Sequence, residues 1–470
     1  LLERVFLCLG SADTDEKLQA SVCKFLPPVL LKLSSPQEGV RKKVMALLIH
    51  INKRIKARPK VQLPVEALLL QYQDPSASSF VINFTIIYIK LGFPRMDLKK
   101  QAELIPSVLN AIEGKPLPHQ DSLMLIIMPA LGSVHAPIDA AKRAAILGLQ
   151  DKPNVAKHLI NFMLDVLLLP YGSVAQTEEQ QSGQPIDWTK YPVPPGLSEY
   201  SFKRVIGETP PRPEQLEQTK IGLVKFLGAG FFPESDILVH LIVAAADTRF
   251  TVANLADMEL RKIVSTLDWS SMQLAVPLYT LFLGTSKFTG QKEVKPELRR
   301  LPANTRIRLK LLQYLCRVNK NGLVIPPAIQ VVFDSLYGNN TNKKLKSLAL
   351  EFALNMVQGG TLGPMTRVAG VVLNGMMKLI NEGEAEHQAM AYTIIGQLGQ
   401  RFPTLVNEDM SIITRFFETL TTTDGDLRIT VRDALVAMAT SFKLDSLNEQ
   451  GKSVLSTLLS SHIESADASV

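Results

Sequence analysis

An apolar pattern that recurs about every 40 residues constrains the fold of this chain more than any other feature. The first copy starts at Val40, and its apolar residues have the spacing of one continuous face of an α-helix. These residues are Val44, Leu47, Leu48 and Ile51. The same spacing starts again at Phe80, His119, Val155, Thr305, Leu345, His387 and Leu427.

A second apolar helix precedes most of these copies. The predicted preceding helices include Leu63–Tyr72, Lys99–Ile112, Val368–Ile380 and Ile412–Leu420. Two helices for each stretch of roughly 40–47 residues are typical of HEAT and armadillo repeats. The sequence therefore predicts an all-α fold, an α-solenoid of HEAT-like helical hairpins wound into a superhelix.

Prolines interrupt the repeat in the middle of the chain. Tyr171–Glu214 contains seven prolines and the polar run Gln176–Gln184. Proline at this density is incompatible with a regular helix, because it lacks the amide hydrogen and clashes with the preceding turn. The sequence predicts N-terminal HEAT-like repeats in residues 1–170, a proline-rich loop or linker in residues 171–214, and a second repeat block in residues 215–470.

The last helix predicted in the second block is Leu447–His462, which has the pattern of the first helix of a hairpin. The partner helix of that hairpin is expected near residue 467. This block is therefore expected to end within a repeat, where an apolar face would be left open.

The composition is that of a folded protein with a large core. Hydrophobic residues make up 46% of the chain and charged residues 20%, which excludes disorder over most of its length. No run of about 20 apolar residues is present, so no transmembrane segment is predicted. Three cysteines are too few for a disulfide framework, which favours a reducing compartment. Cys8 and Cys23 lie in apolar helical contexts and are predicted to be core thiols.

The positive charge of the chain is concentrated in residues 41–60. The formal net charge is +7, and this segment holds eight Lys and Arg residues without any Asp or Glu. Three interpretations are open: a solvated helix surface, a docking site for an acidic protein surface, and a nucleic-acid contact. The last is disfavoured because no aromatic residues interleave the segment for base stacking. The candidate partner-binding residues are Lys42, Lys43, Lys53, Arg54, Lys56, Arg58 and Lys60.

Arg41 belongs to the same segment but has a different predicted role. A basic residue follows the starting residue in four of the eight copies of the pattern, namely Arg41, Arg306, Lys346 and Arg428. A basic residue that recurs at a helix start is expected to bind an acid or a carbonyl group of the preceding loop, rather than a partner.

Patterns of catalytic or metal-binding residues are absent from the sequence. The seven histidines are never closer than 16 residues apart, so none form a zinc-ligand pair on one helix. No GxSxG motif is present, and Gly451-Lys452-Ser453 lacks the earlier glycine of a phosphate-binding loop. The sequence predicts no catalytic residue, no metal ligand and no cofactor. An enzyme would require a site assembled from distant repeats.

Five stretches of the chain are distinctive without carrying any chemistry. They are FLPPVLLKLSS (Phe25–Ser35), EGVRKKVMALL (Glu38–Leu48), FTIIYIKLGFPR (Phe84–Arg95), FMLDVLLLPYG (Phe162–Gly172) and YSFKRVIGETPPRPEQLEQTK (Tyr200–Lys220). In these stretches the chain resembles the N-terminal part of the proteasome adapter and scaffold protein family, which consists of very long HEAT-repeat proteins. The resemblance is collinear over essentially all of the sequence.

The resemblance implies a non-catalytic adapter that binds the 26S proteasome and bridges its regulatory particle and core. It further implies links to quality control and to endoplasmic reticulum (ER), endosomal and motor-linked proteins. The implied location is cytoplasm and nucleus, with peripheral association to ER and endosomes. No family motif maps onto single positions of this chain.

A different class of function fits the same repeat pattern. Cargo-binding transport receptors and phosphatase scaffolds are also built from HEAT repeats, and periodicity does not separate them from a proteasome adapter. Only the resemblance distinguishes the two classes.

Overall fold

The computed structural model describes residues 2–174, 186–285, 294–423, 425–439 and 447–463. In these residues the regular secondary structure is entirely helical, as the sequence predicts. The α-helices are α1 (Leu2–Gly10), α2 (Asp15–Leu31), α3 (Glu38–Ala57), α4 (Val65–Gln73), α5 (Ser79–Gly92), α6 (Leu98–Ile112), α7 (Leu117–Ile127), α8 (Ala140–Ile146), α9 (Pro153–Leu168), α10 (Glu199–Ile206), α11 (Pro213–Gly228), α12 (Glu234–Ala245), α13 (Phe250–Ile263), α14 (Met272–Leu283), α15 (Thr305–Leu315), α16 (Pro327–Tyr337), α17 (Lys343–Gly359), α18 (Leu362–Thr366), α19 (Ala369–Glu382), α20 (Ala385–Arg401), α21 (Pro403–Glu408), α22 (Ser411–Thr422), α23 (Gly425–Ala439) and α24 (Glu449–Ile463).

Internal contacts divide the chain into two compact units. Unit 1 comprises Leu1–Pro194 and Glu199–Ile263, and unit 2 comprises Pro195–Ser198 and Val264–Val470. In unit 1 the hairpin partners include α4 with α5, α6 with α7, and α12 with α13. In unit 2, α19 pairs with α20 and α22 with α23, and the second helices α17, α20 and α23 pack in chain order. The predicted solenoid of helical hairpins is therefore confirmed within each unit.

Short polar side chains cap the start of several of these helices. Asp97 accepts a hydrogen bond from the Lys100 amide at 3.0 Å, and Asn342 accepts one from the Leu345 amide at 2.8 Å. Such bonds satisfy amide groups that have no partner within the first helical turn. The breaks between helices thus have a local cause, and the apolar faces determine which helices pack together.

The predicted apolar faces form the core. Val44, Leu47, Leu48 and Ile51 of α3 are all buried, as are the corresponding residues of α9, α17 and α20. Two copies of the pattern were placed wrongly by one residue. In α5 the buried positions are counted from Val81, and Phe80 is 62% exposed. In α15 the predicted Leu312 is buried together with Ile307, Leu311 and Leu315, while the predicted Leu309 and Cys316 are only partly buried.

The predicted proline-rich loop contains a helix, which corrects the expectation that residues 171–214 are irregular. Helix α10 forms because the prolines lie on both sides of it and leave residues 196–209 free of proline. The polar run Gln176–Gln184 lies outside the described residues. Residues 186–198 are irregular except for a short 3₁₀ turn. The boundaries of the three predicted parts stay a prediction.

The C-terminal hairpin follows the sequence pattern as far as it is described. Helix α24 matches the predicted helix Leu447–His462. Its predicted partner near residue 467 lies outside the described residues.

Candidate partner-binding surfaces

The basic segment 41–60 lies on helix α3 and the turn that follows it. The apolar face of α3 is buried, so the basic side chains are distributed over its remaining surface. Arg41 donates hydrogen bonds from Nη1 to the carbonyl oxygens of Ser35, at 2.7 Å, and Pro36, at 3.0 Å. The predicted role of Arg41 as a partner of the preceding loop is confirmed.

Two of the seven candidate residues form exposed ion pairs. Lys42 Nζ lies 2.8 Å from Glu38 Oε1, one helical turn earlier. Lys43 donates a hydrogen bond to Glu3 of helix α1, and this contact lowers the pKa of the Glu3 carboxyl. Both pairs are solvent-exposed, so their attraction is screened by water and salt. Their positive charge is partly compensated within the chain.

The two arginines among the candidates bind groups of the chain itself. Arg54 donates hydrogen bonds to the carbonyl oxygens of Leu9, Gly10 and Ala12, at the C-terminal end of α1. The carbonyl groups in the last turn of a helix have no partner within that helix, and a cation there is favoured by the helix dipole. Arg58 Nη1 lies 3.5 Å from Asp15 Oδ1.

The same arrangement occurs at two other repeat boundaries. Arg95 donates hydrogen bonds to the carbonyl oxygens of Ile55, in the last turn of α3, and of Arg58 and Val61, beyond its end. In unit 2, Arg401 donates to the carbonyl oxygens of Val357, Gln358 and Gly360, at the end of α17. These arginines join successive hairpins, which indicates a structural role for Arg54.

Three of the seven candidate residues have no carboxylate partner of this kind among the described residues. Lys53, Lys56 and Lys60 are exposed, and none of them has an acidic partner among the described residues. We call them the three free lysines. They are the part of the predicted patch that is available to a partner, and their role as a contact stays a prediction.

Helix α10 is fixed to unit 1 by a buried charge cluster. Arg204 Nη2 and Nε donate to Asp165 Oδ2 at 2.6 and 3.0 Å, and the Asp165 side chain is fully buried. Arg204 Nη1 also lies 3.4 Å from Asp121 Oδ1. Burial alone would lower the pKa of Arg204, but the Asp165 and Asp121 carboxylates raise it above its ordinary value. The arginine therefore stays charged in the interior.

Two further side chains complete this cluster. The Tyr200 hydroxyl donates a hydrogen bond to Asp121 Oδ2, and His158 Nε2 lies 3.1 Å from Asp121 Oδ1. Helices α7, α9 and α10 each contribute members of the cluster. It therefore holds the returning chain against the repeats that precede the interruption.

A second buried pair lies further along unit 1. Lys220 Nζ donates to Asp247 Oδ2 at 2.8 Å, and the Tyr171 hydroxyl donates to Asp247 Oδ1 at 2.9 Å. The Lys220 ammonium lies 4.5 Å from the centroid of the Tyr171 ring, a distance suited to a cation–π contact. Burial lowers the pKa of Lys220, while Asp247 opposes that change.

An open groove lies beside helix α10. Its larger cavity has a volume of about 920 Å³ and is bounded by Leu98, α7, α11 and the loop of residues 207–212. A second cavity of about 620 Å³ shares Leu125 and Thr209 with the first. The two cavities are therefore neighbours, and we call them together the α10 groove. Sequence patterns did not indicate it, because its walls come from distant parts of the chain.

Close packing of two glycines supports the floor of this groove. A Cβ atom placed on Gly132 would lie 2.4 Å from the Gly222 Cα, which is closer than real contacts allow. Only glycine at position 132 lets the chain after α7 approach α11 this closely. No sequence pattern indicates the close packing of these two glycines.

The structure offers no obvious centre for chemistry in the residues it describes. No group of three or more His, Cys, Asp or Glu side chains in the described part of the chain is arranged to hold a metal ion. Cys8 and Cys23 are exposed, so the prediction that they are core thiols was wrong. Cys8 lies off the face on which Val5 and Leu9 are buried. Among the described residues, no helix has both the length and the apolarity to cross a bilayer.

Comparison with known proteins gives matches that extend over the whole chain. Residues 2–470 match the family model described as "Proteasome component ECM29, N-terminal". The human "Proteasome adapter and scaffold protein ECM29" is 44% identical over 98% of this chain and 26% of its own length. The Drosophila melanogaster "Proteasome-associated protein ECM29 homolog" is 41% identical over 94% of this chain and 22% of its own length.

Among solved structures, Kap121p bound to Nup53p aligns with 99% of this chain and 47% of its own, at 11% identity and a TM-score of 0.33. The chain spans about a quarter of the length of the human and fly relatives.

Proposed function

The chain belongs to the proteasome component ECM29 family, and from this we propose that it acts as part of a non-catalytic scaffold that binds the 26S proteasome. The observation that carries the proposal is the family match over residues 2–470. The relatives named as a proteasome adapter and a proteasome-associated protein are much longer than this chain. The proposal is therefore that a proteasome contact lies within these particular repeats.

The repeat architecture supports a scaffold. Within each unit, hairpins that pack on their neighbours expose surface from several repeats, over which several contacts can be distributed. The three free lysines, Lys53, Lys56 and Lys60, are proposed as one of these contacts, with an acidic surface of the partner. The other candidates, Lys42, Lys43, Arg54 and Arg58, contribute to the local positive field while bound to groups of the chain.

The finer parts of the proposed function follow from the family. We include the bridging of regulatory particle and core, a role in quality control, and links to ER, endosomal and motor-linked proteins. The proposed location is cytoplasm and nucleus, with peripheral association to ER and endosomes. The proposal includes no catalytic residue and no cofactor.

Binding to purified particles tests the central proposal. The immobilised chain is incubated with intact 26S proteasome, with isolated core particle and with isolated regulatory particle, and retained peptidase activity and subunits are measured. We expect retention of the intact 26S particle, and retention of both isolated particles if this part of the protein bridges them. Absence of retention of all three would contradict a proteasome contact in these repeats.

Charge reversal tests the three free lysines. We expect the Lys53→Glu, Lys56→Glu, Lys60→Glu variant to weaken retention about tenfold or more at low salt, and by less at high salt, where surface charges are screened. The matched control is Lys157→Glu, Arg261→Glu, Lys344→Glu, which reverses three exposed cations elsewhere. Equal retention of the two variants at low salt would exclude the three free lysines as a contact.

A further inference from the structure

We propose that the α10 groove binds an extended peptide segment that carries both apolar and acidic side chains. The inference concerns a different surface from the three free lysines and does not depend on proteasome binding. It is based on the size, the lining and the charge of the groove.

The size of the groove suits a peptide. The larger cavity alone, at about 920 Å³, is at the upper end of the range for small-molecule sites. The second cavity, of about 620 Å³, adjoins it at Leu125 and Thr209. Two open cavities side by side accommodate several residues of an extended chain better than a compact ligand.

The walls of the larger cavity combine apolar surface with side-chain amides. Leu98 is 54% exposed, and Leu125, Pro211 and Ile221 are only partly buried. Covering these groups would remove apolar surface from water, which favours binding. Gln218 is exposed on the α11 wall, as is Gln215, whose Oε1 accepts a hydrogen bond from the Arg212 amide at 3.2 Å. A glutamine amide both donates and accepts hydrogen bonds, so it can pair with the backbone of an extended peptide.

The charge of the larger cavity indicates which peptides it prefers. Arg212 and Lys225 line it, and neither has an acidic partner among the described residues. Glu214 is the single carboxylate in that lining. An acidic side chain in the groove would supply the missing counter-charge, and complementary charge of this kind favours one class of partner over others.

The cations that line the smaller cavity, unlike those of the larger one, have acidic partners in the chain. Lys90 Nζ lies 2.6 Å from Glu208, Lys203 pairs with Glu199, and Arg204 pairs with Asp165. Its cations are therefore already compensated within the chain. We expect the acidic side chains of the ligand to lie in the larger cavity, and uncharged residues to lie in the smaller one.

The lining also favours a peptide over nucleic acid. No aromatic side chain lines the larger cavity in the described structure. Single-stranded nucleic acid is held mainly by stacking of bases on aromatic side chains, together with a basic track. Amides and aliphatic side chains are instead suited to a peptide backbone and its apolar side chains.

Contacts within the chain hold the walls of the groove in position. The contact between Gly132 and Gly222 fixes the floor, and the ion pairs of Arg204 hold α10 in place. A preformed site loses less conformational entropy on binding than a site that must be ordered by its ligand. Weak contacts along the groove can therefore give measurable affinity.

Fluorescence anisotropy on the full chain tests the inference. The probes are two labelled ten-residue peptides, one of alternating leucine and glutamate and one of alternating leucine and lysine. We expect the glutamate peptide to bind about tenfold tighter or more than the lysine peptide. No binding of the glutamate peptide at millimolar concentration of the chain, or equal binding of both, would overturn the proposal.

Variants locate the binding in the groove. We expect Arg212→Glu with Lys225→Glu to weaken binding of the glutamate peptide about tenfold or more, and Gln218→Trp, which fills the groove without changing its charge, to weaken it similarly. All three positions are exposed, and circular dichroism checks that each variant retains its helix content. The control is the charge reversal of Lys53, Lys56 and Lys60. If that control weakens binding as much as the groove variants do, the peptide is held by general charge attraction and the proposal is wrong.

Discussion

The hairpins of residues 38–112 and the segment of residues 117–249 in unit 1 are stabilised in different ways. The first region buries no charged side chain, and its helices pack through apolar faces, with arginines bound to helix-end carbonyl groups. The second region buries Asp121, Asp165, Lys220 and Asp247, and each carboxylate has a cationic partner. The helices of the first region are therefore held together mainly by apolar contacts, and those of the second also by buried ion pairs.

The difference coincides with the interruption of the repeat. Where the apolar period is continuous, each hairpin finds its position from the hairpin before it, because their apolar faces fit each other. After the proline-rich stretch, the chain must return to the stack without a preceding repeat of regular length. A buried ion pair contributes little net stability, but it disfavours every register in which its charges are unpaired. We infer that these pairs fix the position of the returning chain.

The largest expected effect is that of removing Arg204. We expect Arg204→Ala to reduce the free energy of unfolding of unit 1 by about 3–5 kcal/mol, because it removes the arginine that pairs with the fully buried Asp165. The free energy of unfolding is measured by urea unfolding followed by tryptophan fluorescence, with every variant carrying Trp269→Phe. Trp188 then reports on unit 1 alone, and its ring lies 5.6 Å from the Phe202 ring of α10.

Two controls make this test specific. Arg249→Ala removes a more exposed arginine of the same unit, whose Nε lies 3.7 Å from Glu217. This variant should reduce the free energy of unfolding by only about 0–1 kcal/mol. Arg204→Met combined with Asp165→Leu removes both charges and should recover more than half of the loss. A cost for Arg204→Ala no larger than that of the Arg249 control would contradict a stabilising role of the cluster.

The arginines that join the regular hairpins should have a smaller effect. We expect Arg54→Ala to reduce the free energy of unfolding by about 1–3 kcal/mol, because three carbonyl groups at the end of α1 lose a charged donor. Hydrogen exchange should show the change first in Leu2–Gly10. Arg401→Ala should have a similar local effect on the end of Lys343–Gly359 in unit 2.

Replacement by lysine distinguishes the geometry from the charge. Arg54→Lys keeps a cation near the helix end but lacks the planar fork that reaches several carbonyl groups at once. We therefore expect an intermediate increase in hydrogen exchange in α1. Exchange rates that are the same in Arg54→Ala and in the unchanged chain would show that the arginine does not stabilise this helix end.

The repeat and most of its core could be predicted from the sequence, because they depend on residues that lie close together in the chain. The spacing of apolar residues within a helix determines which face is buried, as for Leu345 and Ala349 of α17. The predicted start of the pattern in α5 is wrong by one residue, because Phe80, Val81 and Ile82 are all apolar and the spacing does not distinguish among them. Burial of Val81, and exposure of Phe80, depend on the neighbouring hairpin.

The candidate surfaces were harder to predict, because they depend on contacts between distant residues. Nothing near Lys43 or Arg54 in the sequence indicates that helix α1 supplies their partners. Arg204 likewise pairs with Asp121 and Asp165, which belong to earlier helices. Local charge counting therefore overestimated the available patch, whereas Arg41 was assigned correctly, since its partners lie in the preceding loop.

The smallest expected effect concerns the exposed ion pair of the regular region. Lys42 and Glu38 lie one helical turn apart on α3, and both side chains are largely in water. Exposed pairs of this kind contribute about 0.3–0.5 kcal/mol, which salt reduces further. We expect Lys42→Ala to change the free energy of unfolding of unit 1 by no more than this, measured by the same urea unfolding. A loss comparable to that of Arg204→Ala would mean that surface charge also stabilises the regular hairpins, and the contrast between the two regions would not hold.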